Sequence, residues 1–315
     1  MKISRYLISH QRLAPSPDHS VENRAASDGR QANALDPSQL EALLEAHGFT
    51  VVSSTGFSGP GYRGTRRALA RRTPEDSPGA QTKALLERLV DDVAWHAVVP
   101  ATLFEAPRKL LVMDVDSTLI QQEVIELLAA HAGRESEVAA VTEAAMRGEL
   151  DFAESLHARV ATLAGLDAGV VEQVRASVVL SPGARELIEA CHAGGHLVGV
   201  VSGGFLQILR PLAEELGLDF ALANDLGVTA GRLTGTVHGA VVDAAAKESS
   251  LRAWAAEAGI PLEHTIAAGD GANDVHMVRA AGLGIAYGAK PALRAAADAV
   301  IDLPRLDIVR HLAGI

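Results

Sequence analysis

From Lys109 onward, short apolar runs alternate with stretches of helical periodicity. The apolar runs are "KLLVMDV", "HLVGVVS", "FALAND", "HTIAAGD" and "GLGIAYG". Runs of this length, separated by helices, are typical of a parallel sheet that is covered on both faces. A hairpin is also predicted in "LGVTAGRLTGTVHGAVV", with Gly231 at its turn. Residues 106–315 are therefore predicted to form an α/β domain with a Rossmann-like parallel sheet.

One interval interrupts this alternation. Residues 124–180, between the first two strands, have helical periodicity almost throughout. A crossover connection between parallel strands usually needs a single helix. The interval is therefore predicted to be an inserted helical cap.

The first hundred residues have a different pattern. The runs "KISRYLIS", "FTVVSSTGF" and "YRGTRRALARR" predict strands, and "DPSQLEALLEAHG" and "AQTKALLERLVDDVAW" predict helices. Residues 14–36 are polar and rich in Pro, Ser, Asp and Ala, which predicts a loop or a disordered insertion. Residues 1–105 are predicted to form a small α+β domain that ends near "ATLFEAPRK".

Composition narrows the possible partners. The formal net charge of -11 argues against a nucleic-acid partner, because phosphate backbones attract basic surfaces. The single cysteine, Cys191, cannot form a disulfide framework. The start of the chain lacks the apolar region of a signal peptide, and no apolar stretch reaches the length of a membrane span. A cytoplasmic protein without a membrane partner is expected.

Polar residues follow the predicted strands of the second half at the points where those strands end. In open α/β sheets, ligands bind beyond the carboxyl ends of the strands. The residues at these ends are Asp114 and Asp116, then Ser202, Gly203 and Gly204, then Asp270, Asn273 and Asp274. An isolated lysine, Lys247, stands in "DAAAKESS", where a helix is predicted to begin.

These residue types suit the chemistry of a phosphate ester. Clustered carboxylates repel one another unless a hard cation binds them, and Mg²⁺ prefers oxygen ligands together with a substrate phosphate. One aspartate can attack phosphorus, and a second can protonate the leaving group and then activate water. Each motif has a simpler interpretation, since a D-x-D pair often forms a turn and "GDGAND" is similar to a calcium loop. The ordered set at successive strand ends favours catalysis.

The motifs "DVDST" and "SGG", the isolated Lys247 and "GDGAND" resemble, in this order, the four motifs of the haloacid dehalogenase superfamily. Residues 109–303 are similar, more narrowly, to bacterial phosphoserine phosphatases. The resemblance implies Mg²⁺-dependent hydrolysis of O-phospho-L-serine to L-serine and phosphate through an aspartyl phosphate. That reaction is the final step of serine biosynthesis.

The resemblance also implies a role for each matching residue. Asp114 would be the nucleophile and Asp116 the general acid/base. Mg²⁺ would be bound by Asp114, the backbone carbonyl of Asp116 and Asp270, with Asp274 supporting the site. The residues implied in substrate binding are Ser202, Gly203, Lys247 and Asn273 at the phosphoryl group, Glu123 at the ammonium, Arg159 at the carboxylate, and Phe152 as an apolar wall. Without the phosphatase motifs, Glu123 and Arg159 would be interpreted as ordinary charges on a helix surface.

Other interpretations stay open. The first hundred residues are loosely similar to an ACT-like, ferredoxin-type regulatory module, whose effector the sequence does not identify. Related enzymes and such modules often pair, so a homodimer is possible. The alternative function is a related phosphatase or phosphotransferase that acts on another small phosphate monoester. An amino-acid sensor with a decayed catalytic half is disfavoured, because the motif set is intact.

Overall fold

The structure, a computed structural model, describes residues 3–13, 37–71, 85–86, 96–146 and 149–315. The predicted loop or disordered insertion at 14–36 and most of the predicted helix at 80–95 lie outside the described residues. The predicted boundaries of the two domains and of the cap stay predictions.

An antiparallel sheet forms the N-terminal part. Its strands are β1 (Ile3–Arg12), β2 (Phe49–Gly59), β3 (Tyr62–Arg71) and β4 (His96–Pro100), and helix α1 (Pro37–Ala46) lies between β1 and β2 in the chain. The sheet order is β2-β3-β1-β4, as a ferredoxin-type unit would have. One face is buried by an apolar cluster that includes Leu7, Leu40, Leu44, Phe49 and Leu69. The predicted α+β fold of this part is confirmed.

Strand β4 is missing from the sequence-based prediction. It has five residues, ends at Pro100 and contains a single unbroken apolar run, which does not distinguish a strand from a short helix. Its pairing with the buried centre of β1 stabilises it: Tyr6 lies opposite Val99, and Leu7 lies opposite Val98.

The second sheet has the predicted parallel core. Helix α2 (Ala101–Phe104) leads into β5 (Leu110–Met113), and the sheet order is β11-β10-β9-β5-β6-β7-β8. All of these pairs are parallel except the hairpin of β7 and β8, which turns at Ala230 and Gly231. The remaining strands are β6 (Leu197–Phe205), β7 (Phe220–Thr229), β8 (Arg232–His238), β9 (Thr265–Gly269), β10 (Leu283–Tyr287) and β11 (Ala299–Ile301).

Of the five described α-helices between β5 and β6, the first four form the cap. They are α3 (Val124–Ala132), α4 (Glu135–Met146), α5 (Phe152–Ala161) and α6 (Gly169–Ser177). Helix α5 begins with a capping box, in which Asp151 and Glu154 satisfy each other's backbone N–H groups. The later helices are α7 (Ala184–Ala193), α8 (Leu206–Leu216), α9 (Ala244–Glu257), α10 (Val275–Ala280), α11 (Pro291–Arg294) and α12 (Ile308–Ala313).

Two segments join the cap to the core, 117–123 and 178–183, and we call them the first and second cap linkers. They run antiparallel and pair through Ile120 and Leu180. The Ser181 N–H donates to the Leu119 carbonyl at 2.9 Å, and the Gln121 N–H donates to the Val179 carbonyl at 2.9 Å. Because the linkers are bonded to each other, a shift of one linker shifts the other.

Among the described helices, none has the length and apolar character that crossing a membrane requires.

Candidate active site

The sheet order brings the polar strand ends together. Strand β5 pairs in parallel with β6 on one side and with β9 on the other. Asp114 follows β5, Asp270 follows β9, and Ser202 lies near the end of β6. Because neighbouring parallel strands end at the same edge, side chains from distant parts of the chain meet there.

At this edge a buried cation lies between two buried carboxylates. The Lys247 Nζ is 2.7 Å from Asp114 Oδ1 and 2.7 Å from Asp274 Oδ1, and the Lys247 side chain is 0% exposed. Burial acts to lower the pKa of Lys247, but the two carboxylates outweigh burial and raise the pKa above its usual value. Lys247 therefore stays charged, as a buried cation needs opposite charges to be tolerated.

Asp274 holds the loop that follows β9. Its Oδ2 accepts hydrogen bonds from the Asp270 N–H at 3.1 Å and the Gly271 N–H at 3.0 Å. A Cβ atom at Gly269 would lie 2.4 Å from the Asp274 carboxyl carbon, so only glycine permits this approach. Both Asp274 oxygens thus already accept hydrogen bonds from the protein.

A metal ion fits beside this group. Asp114, Asp270 and Asp274 each offer one carboxylate oxygen, and these oxygens lie within 4.8 Å of one another. Burial, then repulsion from Asp274 and Glu123, raises the pKa of Asp270 to about 6. Such crowding of carboxylates is relieved by a hard divalent cation, which takes oxygen ligands. Since both Asp274 oxygens accept protein hydrogen bonds, Asp114 and Asp270 are the better candidates for direct ligands.

Asp116 is held next to Asp114 by the backbone and by a hydroxyl group. Its Oδ1 accepts a hydrogen bond from the Val124 N–H at 3.1 Å, and its Oδ2 accepts one from the Ser202 hydroxyl at 3.4 Å. Burial, then the negative charge of Glu123, raises the pKa of Asp116 to about 7. A carboxyl group that titrates near neutral pH can both donate and accept a proton.

A cavity of about 390 Å³ opens above these residues, between the core and the cap. Of the predicted site residues, those that line it are Asp114, Asp116, Glu123, Phe152, Arg159, Gly203, Asp270 and Asn273. Ser202, Lys247 and Asp274 are not among the lining residues. They are buried behind the lining, where each contacts a carboxylate or a backbone group of the site.

The cap and the first cap linker contribute an apolar wall and opposite charges to the cavity. A Cβ atom on Gly203 would lie 2.9 Å from the Phe152 ring, so this ring rests against the glycine of the core. Burial lowers the pKa of Arg159, although Glu123, Glu126 and Asp116 oppose this effect. Glu123 accepts a hydrogen bond from the Ser117 hydroxyl at 2.8 Å. The cavity thus presents a cation and an anion above the carboxylates of the core.

Lys290 also lines the cavity, and the sequence-based assignment of roles did not include it. Its backbone N–H donates to the Asp270 carbonyl at 2.9 Å, and its charge acts to lower the pKa of Asp270. A signal was present, because Lys290 lies two residues after the apolar run "GLGIAYG", at the end of a predicted strand as Asp270 is at the end of "HTIAAGD". Thr142 and Ser155 of the cap line the cavity as well, and no pattern in the sequence pointed to them.

Comparison with known proteins agrees with this geometry. Residues 111–279 match the family of haloacid dehalogenase-like hydrolases. A phosphoserine phosphatase of Streptomyces coelicolor is 58% identical over 241 residues, which cover 75% of this chain and 59% of that relative. The chain therefore spans less than two thirds of the relative's length. A phosphoserine phosphatase of Streptococcus thermophilus is 52% identical over 197 residues, which cover 62% of this chain and 92% of that protein.

The fold is similar to that of a solved enzyme. A structure described as a phospho-aspartyl intermediate analogue of phosphoserine phosphatase has a TM-score of 0.62 and 43% sequence identity with this chain. The similarity covers 65% of this chain and 99% of the solved chain. The match supports an α/β core of the predicted type that carries a cap.

Proposed function

The chain belongs to the family of haloacid dehalogenase-like hydrolases, and from this premise we propose that it is a Mg²⁺-dependent phosphoserine phosphatase. It would hydrolyse O-phospho-L-serine to L-serine and phosphate through an aspartyl phosphate, the final step of serine biosynthesis. The relatives named phosphoserine phosphatase support the choice of substrate.

One observation carries the proposal: Arg159 and Glu123 line the same cavity as the paired aspartates Asp114 and Asp116. Phosphoserine carries a carboxylate, an ammonium and a phosphate, so its recognition needs a cation, an anion and a phosphate-binding centre. A guanidinium binds a carboxylate through two parallel hydrogen bonds, which suits Arg159 to the substrate carboxylate. Glu123 suits the ammonium, and Phe152 forms an apolar wall beside the substrate.

In the first chemical step, Asp114 attacks phosphorus. Its Oδ1 already takes contacts from the Val115 N–H at 2.7 Å and from Lys247, so we assign the attack to Oδ2. The Asp114 Oδ2–phosphorus bond forms as the bond between phosphorus and the serine oxygen breaks. Asp116 gives its proton to that oxygen, and serine leaves.

In the second step, Asp116 accepts a proton from a water molecule. The water oxygen attacks phosphorus, the bond to Asp114 Oδ2 breaks, and inorganic phosphate leaves. A pKa of about 7 suits Asp116 to both proton transfers. The residues that would orient the phosphoryl group are Ser202, Gly203, Lys247 and Asn273. Lys247 is buried behind the cavity and paired with Asp114, so its positive charge would act on the phosphoryl group from behind Asp114.

Mg²⁺ is the cation that we propose for the carboxylate cluster. Asp114, Asp270 and the backbone carbonyl of Asp116 would hold it, and Asp274 would support Asp270 through the backbone. When bound, the ion supplies positive charge that offsets the negative charge of the phosphoryl group.

The choice of substrate is tested with a panel of phosphate esters and detection of free phosphate. Arg159→Ala should lower kcat/KM for phosphoserine. The loss corresponds to about 2–5 kcal/mol of transition-state binding energy, because a bound carboxylate would lose its partner. The same variant should keep its activity on p-nitrophenyl phosphate, which has no carboxylate. Equal activity of the unsubstituted protein on phosphoserine and phosphoethanolamine would instead favour the alternative, a phosphatase or phosphotransferase for another small phosphate monoester.

The requirement for a metal is tested by chelation. Treatment with EDTA should abolish turnover of phosphoserine and of p-nitrophenyl phosphate alike, because the metal acts on the phosphoryl group that the two share. Added Mg²⁺ should restore both activities, and Ca²⁺, which prefers longer bonds and more ligands, should not. Full activity in EDTA would rule out the proposed cofactor.

A cytoplasmic location, a homodimer and a regulatory role for the N-terminal part stay predictions. Separation by size in solution would test the dimer. Assays with free amino acids would test the regulatory role, with a change in phosphatase activity as the expected result.

A further inference from the structure

The second cap linker is held from outside the cap by a buried carboxylate. Asp307, which is 2% exposed, precedes α12. A Cβ atom at Gly183 would lie 2.3 Å from Asp307 Oδ1, and Gly183 has a φ of +83°, so the linker passes directly against this carboxylate. The Leu306 N–H donates to the Pro182 carbonyl at 2.8 Å. Residues 306 and 307 thus fix the end of the linker.

The linker carries this constraint to residues 114–119, which directly follow β5. Ser181 directly precedes Pro182 in this linker, and its N–H donates to the Leu119 carbonyl at 2.9 Å. The Leu119 N–H in turn donates to the Asp114 carbonyl at 3.3 Å. A continuous set of bonds therefore connects Asp307 to the backbone of the proposed nucleophile.

The N-terminal sheet takes part in this set through Tyr62. The Tyr62 hydroxyl, at the start of β3, donates to Asp307 Oδ2 at 3.0 Å, and the Tyr62 side chain is fully buried. Arg305 Nε donates to the other oxygen, Asp307 Oδ1, at 2.8 Å. The two hydrogen bonds occupy both oxygens of the carboxylate and so determine its orientation against Gly183.

We propose that Tyr62 and Asp307 are positioning residues for the cap: the Tyr62 hydroxyl orients Asp307, and Asp307 holds the second cap linker. The inference rests on the proposed function, in which the cap carries Phe152 and Arg159 to the substrate. Small changes in the position of such groups have large effects on binding and rate. Through this contact, a change in the position of Tyr62 on the N-terminal sheet affects how the cap binds the substrate.

Tyr6 offers a matched control. Its hydroxyl, also on the N-terminal sheet, donates to the carboxylate of Glu105 at 2.7 Å. Glu105 follows α2 and is not in either cap linker. Tyr62→Phe and Tyr6→Phe therefore each delete one hydroxyl-to-carboxylate hydrogen bond, and each keeps the packing of the ring.

The test is hydrogen exchange on the full chain, combined with kinetics. Tyr62→Phe should speed exchange at residues 178–183 and raise KM for phosphoserine, both by about fivefold or more, as coupling through a shared contact commonly does. Its activity on p-nitrophenyl phosphate, which has no carboxylate or ammonium for the cap to bind, should change much less. Tyr6→Phe should show neither effect. If the hydroxyl groups served only stability, both variants would have a lower melting temperature. Neither variant would then show faster exchange confined to residues 178–183.

Unchanged linker exchange in Tyr62→Phe would overturn the proposal, and so would equal changes in both variants. If Tyr62→Phe does not fold, Asp307→Asn takes its place: the single carbonyl oxygen of asparagine cannot accept from Tyr62 and Arg305 in their present positions, and the same faster exchange is expected. The exchange measurement needs no substrate, so it separates this inference from the proposed activity. If phosphoserine proves not to be hydrolysed, the linker exchange still decides the coupling.

Discussion

Asp114→Asn is expected to reduce turnover of every phosphate ester to background, a loss of about 10⁴-fold or more, as for removal of other enzyme nucleophiles. The neutral amide has nearly the same shape as the carboxylate but is a poor nucleophile. The fold should persist, because Lys247 keeps its ion pair with Asp274 at 2.7 Å. Phosphate release, circular dichroism and thermal unfolding of the same preparation measure these outcomes.

Asp116→Asn is the control for Asp114→Asn. Since it keeps the nucleophile and removes only the proton transfer, it should lower turnover by about 10²–10⁴-fold. With a substrate that has a good leaving group, Asp116→Asn should still form the aspartyl phosphate, and mass spectrometry of the acid-quenched protein should find the added phosphate on Asp114. Phosphate on another residue, or residual turnover by Asp114→Asn, would contradict the assignment of the nucleophile.

Lys247→Met is expected to cost about 3–5 kcal/mol of stability, which is typical when one partner of a buried ion pair is removed. Methionine fills much of the volume of lysine but leaves Asp114 and Asp274 without the cation between them. Burial and Asp274 raise the pKa of Asp114 and Lys247 opposes this rise, so losing the cation would raise the pKa of Asp114 further. Urea unfolding measures the loss of stability, and phosphate release should show a large loss of activity as well.

Lys290→Met provides the comparison for Lys247→Met. Lys290 lines the same cavity, but it is exposed, and its backbone N–H, which the substitution keeps, makes the bond to Asp270. The free energy of unfolding of Lys290→Met should differ from that of the unsubstituted protein by no more than about 0.5 kcal/mol, as for most surface substitutions. If Lys247→Met were no less stable than Lys290→Met, the buried ion pairs would not have the structural role described above.

Local patterns in the sequence were sufficient for the parallel core and for the polar residues that meet at its edge, whereas the roles proposed for those residues stay predictions. The apolar runs before Asp114 and Asp270 became β5 and β9, because a buried strand has few alternatives when its side chains are apolar on both faces. The hairpin at Gly231 formed as predicted, because a positive φ at a tight turn favours glycine. Strand β4 could not be predicted, because only its pairing with β1 distinguishes it from a short helix.

The amino-acid sequence by itself determined the types of residue at the strand ends, and therefore the chemistry that this chain can carry out. Only the tertiary structure decided which residues face the cavity and which lie behind it. Lys247 lies on α9, and no local pattern shows that its ammonium reaches both Asp114 and Asp274. The contact of Tyr62 with Asp307, which joins residues 245 positions apart, was equally inaccessible. Periodicity and turn preferences act between near neighbours in the chain, whereas these contacts depend on how distant elements pack together.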